Sequence, residues 1–305
     1  MKAMILAAGL GTRLRPLTDT RPKALVEING RTLLEITLTR LRTFGVTEAI
    51  INVHHFADMV AQYLKSKNNF GMRLELSRED DQLLDTGGGL KKAAWFFLPS
   101  VAQGGVPAAL RPSPSEPDAC PQPSTASEPE PFLLHNVDVI STIDLAAMLQ
   151  FHKQNQALAT LAVQSRETSR QLLFNDQLQL SGRRINNQDT LVYDAPLGDA
   201  GARICHSERS EESAFSSHSP LATHRSPLPQ SKEPSPLHPL AFSGIHVISP
   251  RLLPQLTGTG PFSIIDSYLR LSSQGQKILA FRHDHSYWRD LGKPADLAQA
   301  ALDLQ

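Results

Sequence analysis

Residues 1–25 read MKAMILAAGLGTRLRPLTDTRPKAL, and the fold follows from how this stretch is divided. Residues 3–7 form a short apolar run of strand type, and a turn, Gly9-Leu10-Gly11-Thr12-Arg13, ends it. Arg15 follows, and Lys23 stands behind Pro22. A buried strand stopping in a glycine loop turns backbone N–H groups outward at its carboxyl end. Arginines and a lysine beside it make that crevice attractive to a polyphosphate. Three other readings fail on spacing. A secretory leader needs a longer apolar core and small neutral residues where Arg13 and Arg15 stand. A dinucleotide fingerprint needs glycine at position 14, which is Leu14. A P-loop, G-x-x-x-x-G-K-[ST], needs its lysine directly after the second glycine, and Lys23 is too far from Gly11.

Outward from this stretch, apolar residues at 33, 34, 38, 41 and 44 predict a helix over 32–44, with Gly45 placed to end it. Residues 49–53 read as a strand buried on both faces. A helix is expected over 57–64, a strand over 73–76, a helix over 90–97 and a strand over 132–135. This alternation predicts an α/β, Rossmann-like, doubly wound and mostly parallel mixed sheet. Ligands of such sheets bind outside the carboxyl ends of the strands. The second half reads as a strand over 158–163, a hairpin turning at Asn175-Asp176, a strand over 241–248 and helices over 263–271 and 295–302.

Residues 104–131 are dominated by proline, serine and alanine, and residues 205–240 by serine, proline and histidine. Neither holds a helical or strand period, so both are expected to be irregular inserts. Without them, the remaining length suits one domain. Cys120 and Cys205 fall in these segments, which argues against a disulfide framework or a zinc site. His206, His218, His224 and His238 are too irregularly spaced to read as a metal site. Thirty basic residues balance thirty acidic ones, against a nucleic-acid binder held by a strong basic field. No apolar run reaches the roughly 18 residues of a membrane span, so a cytoplasmic protein without membrane attachment is expected. Oligomeric state is unreadable.

The string Leu6-Ala7-Ala8-Gly9-x-Gly11-Thr12-Arg13-Leu14-x-Pro16, followed by Pro22-Lys23, resembles the signature of the sugar-phosphate nucleotidylyltransferases. The resemblance implies NTP and a sugar 1-phosphate as substrates and an NDP-sugar as product. It places Leu6, Ala7, Ala8, Gly9, Gly11 and Thr12 around the nucleotide, with Arg13 and Lys23 on its phosphates. It also implies that residues 1–103 with 132–144 bind NTP, and that 145–204 with 241–305 bind the sugar phosphate. The loop Asp85-Thr86-Gly87-Gly88-Gly89 matches the segment that touches the nucleobase, giving Thr86, Gly87 and Gly88; Asp85 or Thr86 as a plain helix cap is the competing reading. Its LLDTGGG form is most similar to N-acetylmuramate 1-phosphate uridylyltransferases and some mannose 1-phosphate guanylyltransferases.

Asn136 and Asp138 match the family's asparagine-glycine-aspartate motif, in which the aspartate binds Mg²⁺; Val137 replaces the glycine, which is expected to narrow the pocket or shift the loop. Asp290, in Trp288-Arg289-Asp290-Leu291-Gly292-Lys293-Pro294, matches the second metal carboxylate. Arg13, Lys23, Asp138 and Asp290 are thus the expected catalytic set, with Mg²⁺ on Asp138 and Asp290. Asn136, Ser243 and Gly244 are the expected substrate contacts. The family's glutamate-lysine-proline segment is replaced by Leu180-Ser181-Gly182-Arg183-Arg184, so no sugar-contacting glutamate can be placed. Arg166 and Arg170 are candidates for the sugar phosphate, against a reading of both as solvated. A catalytically silent nucleotide or sugar-phosphate binder and a phosphocholine nucleotidylyltransferase are the alternatives.

Overall fold

The computed structural model describes residues 1–98, 130–192 and 236–304. Cys120, Cys205, His206, His218, His224 and most of both expected inserts lie outside the described residues.

In chain order the strands are β1 Lys2–Leu6, β2 Glu27–Ile28, β3 Arg31–Thr32, β4 Glu48–Val53, β5 Arg73–Arg78, β6 Phe132–Asn136, β7 Val139–Ser141, β8 Ala159–Gln164, β9 Arg170–Phe174, β10 Leu180–Ile185, β11 Gln188–Leu191, β12 His238–Ile248, β13 Ile278–Arg282 and β14 Trp288–Asp290. The helices are α1 Leu33–Thr43, α2 Ala57–Ser66, α3 Asp85–Lys92, α4 Leu145–Asn155, α5 Ile264–Ser273 and α6 Pro294–Asp303.

The main sheet runs β11-β10-β9-β12-β6-β1-β4-β5, with β8 pairing β12 and β13. From β6 to β5 every pairing is parallel. Register places Leu6 opposite both Asn52 and Asn136, so the carboxyl ends of three strands form one row. Beyond β6 the sheet changes character. β12 runs antiparallel to β6, β8 and β9, and β9-β10-β11 is an antiparallel meander. The sheet is thus mixed, as expected, with β8 and β13 forming a further parallel pair in the second half.

The apolar runs are continuous because both faces of the sheet are covered. Ala3 and Ile5 join a core cluster with Leu34, Leu38, Val60 and Met148; Met4 points the other way, to a cluster with Leu90, Ile264 and Tyr268. Helix α1 ends as Gly45 predicts. Gly45 has φ 79°, its N–H reaches Arg42 O at 3.0 Å, and Val46 N–H reaches Leu41 O at 3.2 Å. Asn175 makes the expected turn, its Oδ1 accepting from Gln177 N (3.0 Å) and Gln179 N (2.9 Å).

Two expectations need correction. The strand expected at 241–248 begins at His238, inside the segment read as an insert; His238–Leu240 pair with β9, and Pro239 is tolerated at the strand's start. The helix expected from residue 90 begins at Asp85, so Gly87, Gly88 and Gly89 are helical rather than a loop.

Candidate active site

The glycine loop leaves β1 into a short 3-10 turn, Thr12–Leu14, anchored by the fully buried Leu14. Gly11 sits at φ +63°, and a Cβ there would lie 2.9 Å from Thr18 Cγ2 and 3.2 Å from Lys23 Cβ. Glycine is needed on both counts. Nothing lies within 4 Å of a Cβ built on Gly9, which faces open space. Lys23 is carried on a second 3-10 turn, Lys23–Leu25, whose three residues are all buried.

These elements wall a cleft of about 330 Å³ at the carboxyl end of β1, lined by Gly9, Gly11, Arg13, Lys23, Asp138 and Gly292 among others. Ala7, Thr12 and Val137 also border it. An adjoining hollow is bordered by Leu6, Ala8, Asn52, Thr86 and Asn136.

Asp138 and Asp290 are 152 positions apart in the chain but meet through one ladder. Strand β14 pairs with β7, placing Asp290 opposite Val139, and Leu291 N–H donates to Asp138 O at 2.8 Å. Lys23 Nζ, only 8 % exposed as a residue, is ion-paired to the Asp138 carboxylate. Burial pushes the Asp290 carboxyl above its ordinary value; nearby Asp138 adds to the rise, while Lys23 and Arg13 oppose it. Its Oδ1 is buried without a hydrogen-bond partner among the described residues. A Cβ on Gly292 would lie 2.9 Å from both Asp290 Oδ1 and Arg13 Nη2, so the two side chains converge there.

This donor set fits a hard divalent cation. Mg²⁺ needs only one or two protein carboxylates, its other positions going to water and phosphate. Asp290 offers an unpartnered carboxylate oxygen beside a second carboxylate. Among the described residues no group of three or more His, Cys, Asp or Glu is placed to hold a metal.

The remaining expected contacts divide. Asn136 ends β6 beside Gly244, whose φ is +75° and where a Cβ would meet Asn136 Nδ2 at 2.9 Å. Ser243 is fully buried: its Oγ bonds His283 Nε2 at 2.8 Å, and its carbonyl accepts from Trp288 Nε1 at 2.8 Å. It supports the site without a free hydroxyl. Val137 is buried in the core while bordering the cleft. Gly87 and Gly88 are buried against protein. A Cβ would lie 2.4 Å from the Phe262 ring in one case and 2.7 Å from Gly260 O in the other.

Sequence reasoning missed a buried link behind the loop. Asn52 Oδ1 accepts from Ala7 N at 2.7 Å, and its Nδ2 donates to Glu79 Oε1 at 2.7 Å. Glu79 Oε2 accepts from Leu84 N at 2.9 Å. The available signal was an asparagine closing the apolar run Ile50-Ile51-Asn52-Val53.

The strand-end glycine loop, Arg13, Lys23 and Asp138 thus line one cleft, with the buried Asp290 Oδ1 beside Gly292 on its wall. Residues 2–102 match the family model described as Nucleotidyl transferase. The chain is 52% identical over 93 residues to N-acetylmuramate alpha-1-phosphate uridylyltransferase of Caulobacter vibrioides, covering 30% of this chain and 38% of that protein. It is 35% identical over 150 residues to the protein of the same name from Neisseria meningitidis serogroup B, covering 49% and 52%. The match thus spans about half or less of the length of these relatives. The fold is shared with a UDP-glucose pyrophosphorylase solved with UDP-glucose, at TM-score 0.61 and 15% identity over 99% of this chain and 97% of that one. Among the described residues no helix is long and apolar enough to cross a membrane.

Proposed function

We propose that this protein is a sugar-1-phosphate nucleotidylyltransferase, converting NTP and a sugar 1-phosphate to an NDP-sugar and pyrophosphate. UTP with N-acetylmuramate 1-phosphate is the favoured pair, supported by the names of the two relatives. GTP with mannose 1-phosphate is the next pair to test. The observation that carries the reading is the meeting of Arg13, Lys23 and Asp138 in one cleft at the carboxyl end of β1, with Asp290 Oδ1 beside the cleft-lining Gly292.

The reaction needs no protein base, because a phosphate monoester is largely dianionic at neutral pH (second pKa about 6). A phosphate oxygen of the acceptor attacks the α-phosphorus in line, and pyrophosphate leaves. The obstacle is bringing two polyanions together, so the protein's work is positioning and charge neutralisation. The loop Gly9–Thr12 shapes the phosphate channel. Arg13 and Lys23 balance charge on the α-phosphate and the departing pyrophosphate. Asp138 and Asp290 would hold Mg²⁺, which when bound supplies further neutralisation of the phosphates.

Pyrophosphate release is measured over UTP, GTP, CTP, ATP and dTTP against N-acetylmuramate, mannose, glucose and N-acetylglucosamine 1-phosphates, with phosphocholine alongside. Release that requires Mg²⁺, one NTP and one sugar phosphate is expected. Asp138→Asn should lower kcat by about 10²–10³-fold, the scale of losing one preorganised electrostatic partner. Release with phosphocholine alone, or none with any pair, would overturn the reading.

A further inference from the structure

Outside the cleft, one cation of the second half, Arg166, is built into place without an ionic partner among the described residues. Arg166 follows β8 on the segment Ser165-Arg166, which is pinned by Ser165 N–H donating to Asp284 Oδ1 (2.7 Å) and Gln164 Nε2 donating to Ser286 O (2.9 Å). Its guanidinium lies over the Trp288 ring, 3.7 Å from the centroid. The Trp288 indole is itself fixed by its bond to Ser243 O. One Arg166 N–H, from Nη2, is spent on Phe242 O at 2.7 Å. The buried Nε has no partner, and Nη1 makes no hydrogen bond among the described residues. The side chain is half-buried and near enough to Asp290 to feel its charge, yet forms no ion pair with it.

A guanidinium so held has lost its rotamer freedom already. It is partly stripped of water, and stacking and the Phe242 carbonyl fix its plane. A planar fork in that state matches the paired oxygens of a carboxylate or phosphate. Arg170, the other sequence candidate, opens β9 as an exposed residue. Trp288, which carries the Arg166 guanidinium, shares β14 with Asp290, whose charge Arg166 feels.

We propose that Arg166, clamped between Trp288 and the Phe242 carbonyl, recognises anionic oxygens of the acceptor substrate, and so determines which acceptors bind. This rests on the nucleotidylyltransferase reading above. The anion has two sources, the acceptor's phosphate or a carboxylate on its sugar, and the test separates them.

Steady-state rates at saturating NTP are measured for wild type, Arg166→Ala and Arg166→Lys. The acceptors are N-acetylmuramate 1-phosphate, which carries a carboxylate, and N-acetylglucosamine 1-phosphate, which does not. Acceptor binding alone is followed by calorimetry. Arg166→Ala should raise acceptor KM by about 10- to 100-fold, the scale of lost charge-assisted hydrogen bonds. KM for NTP should stay within about two-fold, and Arg166→Lys should recover part of the loss. An equal rise for both acceptors assigns the contact to the phosphate; a rise for the acid alone assigns it to the carboxylate. An unchanged acceptor KM in an active enzyme overturns the role of Arg166 and leaves the proposed function standing. So does a loss shared equally between NTP and acceptor with a lowered Tm. A wild type that binds acceptor through Arg166 but releases no pyrophosphate does the reverse.

Discussion

Gly292→Ala separates the geometry of the site from the stability of the fold. Gly292 follows β14, and its φ is not in the left-handed region, so alanine fits the backbone without strain. The added methyl would lie 2.9 Å from Arg13 Nη2 and from Asp290 Oδ1, and 3.1 Å from Arg13 Cζ. Non-bonded heavy atoms prefer about 3.5–4 Å, so each side chain must retreat by roughly half an ångström or more. Both obstructing groups are ends of side chains, which swing at little cost. Replacing glycine also reduces the freedom of the unfolded chain, worth about 0.4–1 kcal/mol in favour of the variant. Stability should therefore change little, with Tm within a few degrees of wild type. Activity should not survive equally, since misplacing reacting groups by about 1 Å costs on the order of 10²-fold. The expected result is a normal melting curve with kcat/KM for pyrophosphate release down about 10- to 100-fold. Full activity at unchanged Tm would refute the claim that Arg13 and Asp290 act from the positions they occupy here. An unfolded variant would refute the claim that only side-chain ends oppose the methyl.

Gly88→Ala makes the opposite case, because its methyl meets a backbone oxygen, Gly260 O, at 2.7 Å; overpacking should cost about 1–3 kcal/mol, and an unchanged Tm would show that residues 258–262 do not seat on α3. Glu79→Gln leaves one oxygen for two buried donors, Asn52 Nδ2 and Leu84 N; a loss of about 1–3 kcal/mol in urea melts is expected, with a higher KM for NTP, and wild-type values of both would remove the link from the site. Burial holds the His135 and His152 imidazoles down at about 4 and that of His246 at about 3. The unfolded chain binds these protons near pH 6.5 and the folded one does not, so stability falls as pH drops from about 6.5 toward 4, by up to about 1.4 kcal/mol per pH unit per histidine. Equal urea midpoints at pH 7.5 and 5.5 would contradict this.

The glycine loop was legible because its chemistry is local: Gly9, Gly11, Arg13 and Lys23 lie within one short stretch. Periodicity located β1, α1, β4 and α2 for the same reason. Asp138 and Asp290 were named through the family resemblance, but their meeting depends on the β7–β14 ladder, a long-range pairing that no local pattern encodes. Strand β12 was cut short because Pro239 and the surrounding prolines read as a breaker, whereas pairing with β9 overrides local propensity. Ser243 was named through the same resemblance, and no local pattern shows that its Oγ bonds His283 Nε2.

The glycine run at 87–89 shows why composition cannot tell a ligand from a neighbour. A missing Cβ admits any close approach, and here Phe262 and Gly260 make it, with Asn52 and Glu79 behind Gly89. Neighbouring contacts also engage three donors at the start of α3. Gly87 N and Gly88 N both reach Phe262 O, at 2.9 and 3.3 Å, and Thr86 N reaches Asp85 Oδ1 at 2.6 Å. Thr86 Oγ1 accepts from Ile264 N at 3.0 Å, tying α3 to the start of α5. A helix start can hold a phosphate only while its N–H groups are free. The N–H groups of Thr86, Gly87 and Gly88 are committed, which makes the start of α3 a poor phosphate cradle. Its exposed first residue, Asp85, also brings a negative charge that phosphates would avoid. Under the proposed function, recognition of triphosphate would fall to the wall where Gly9–Thr12, Arg13 and Lys23 face the cleft, and the rim at Leu83–Thr86 would be left for the uncharged part of the nucleotide.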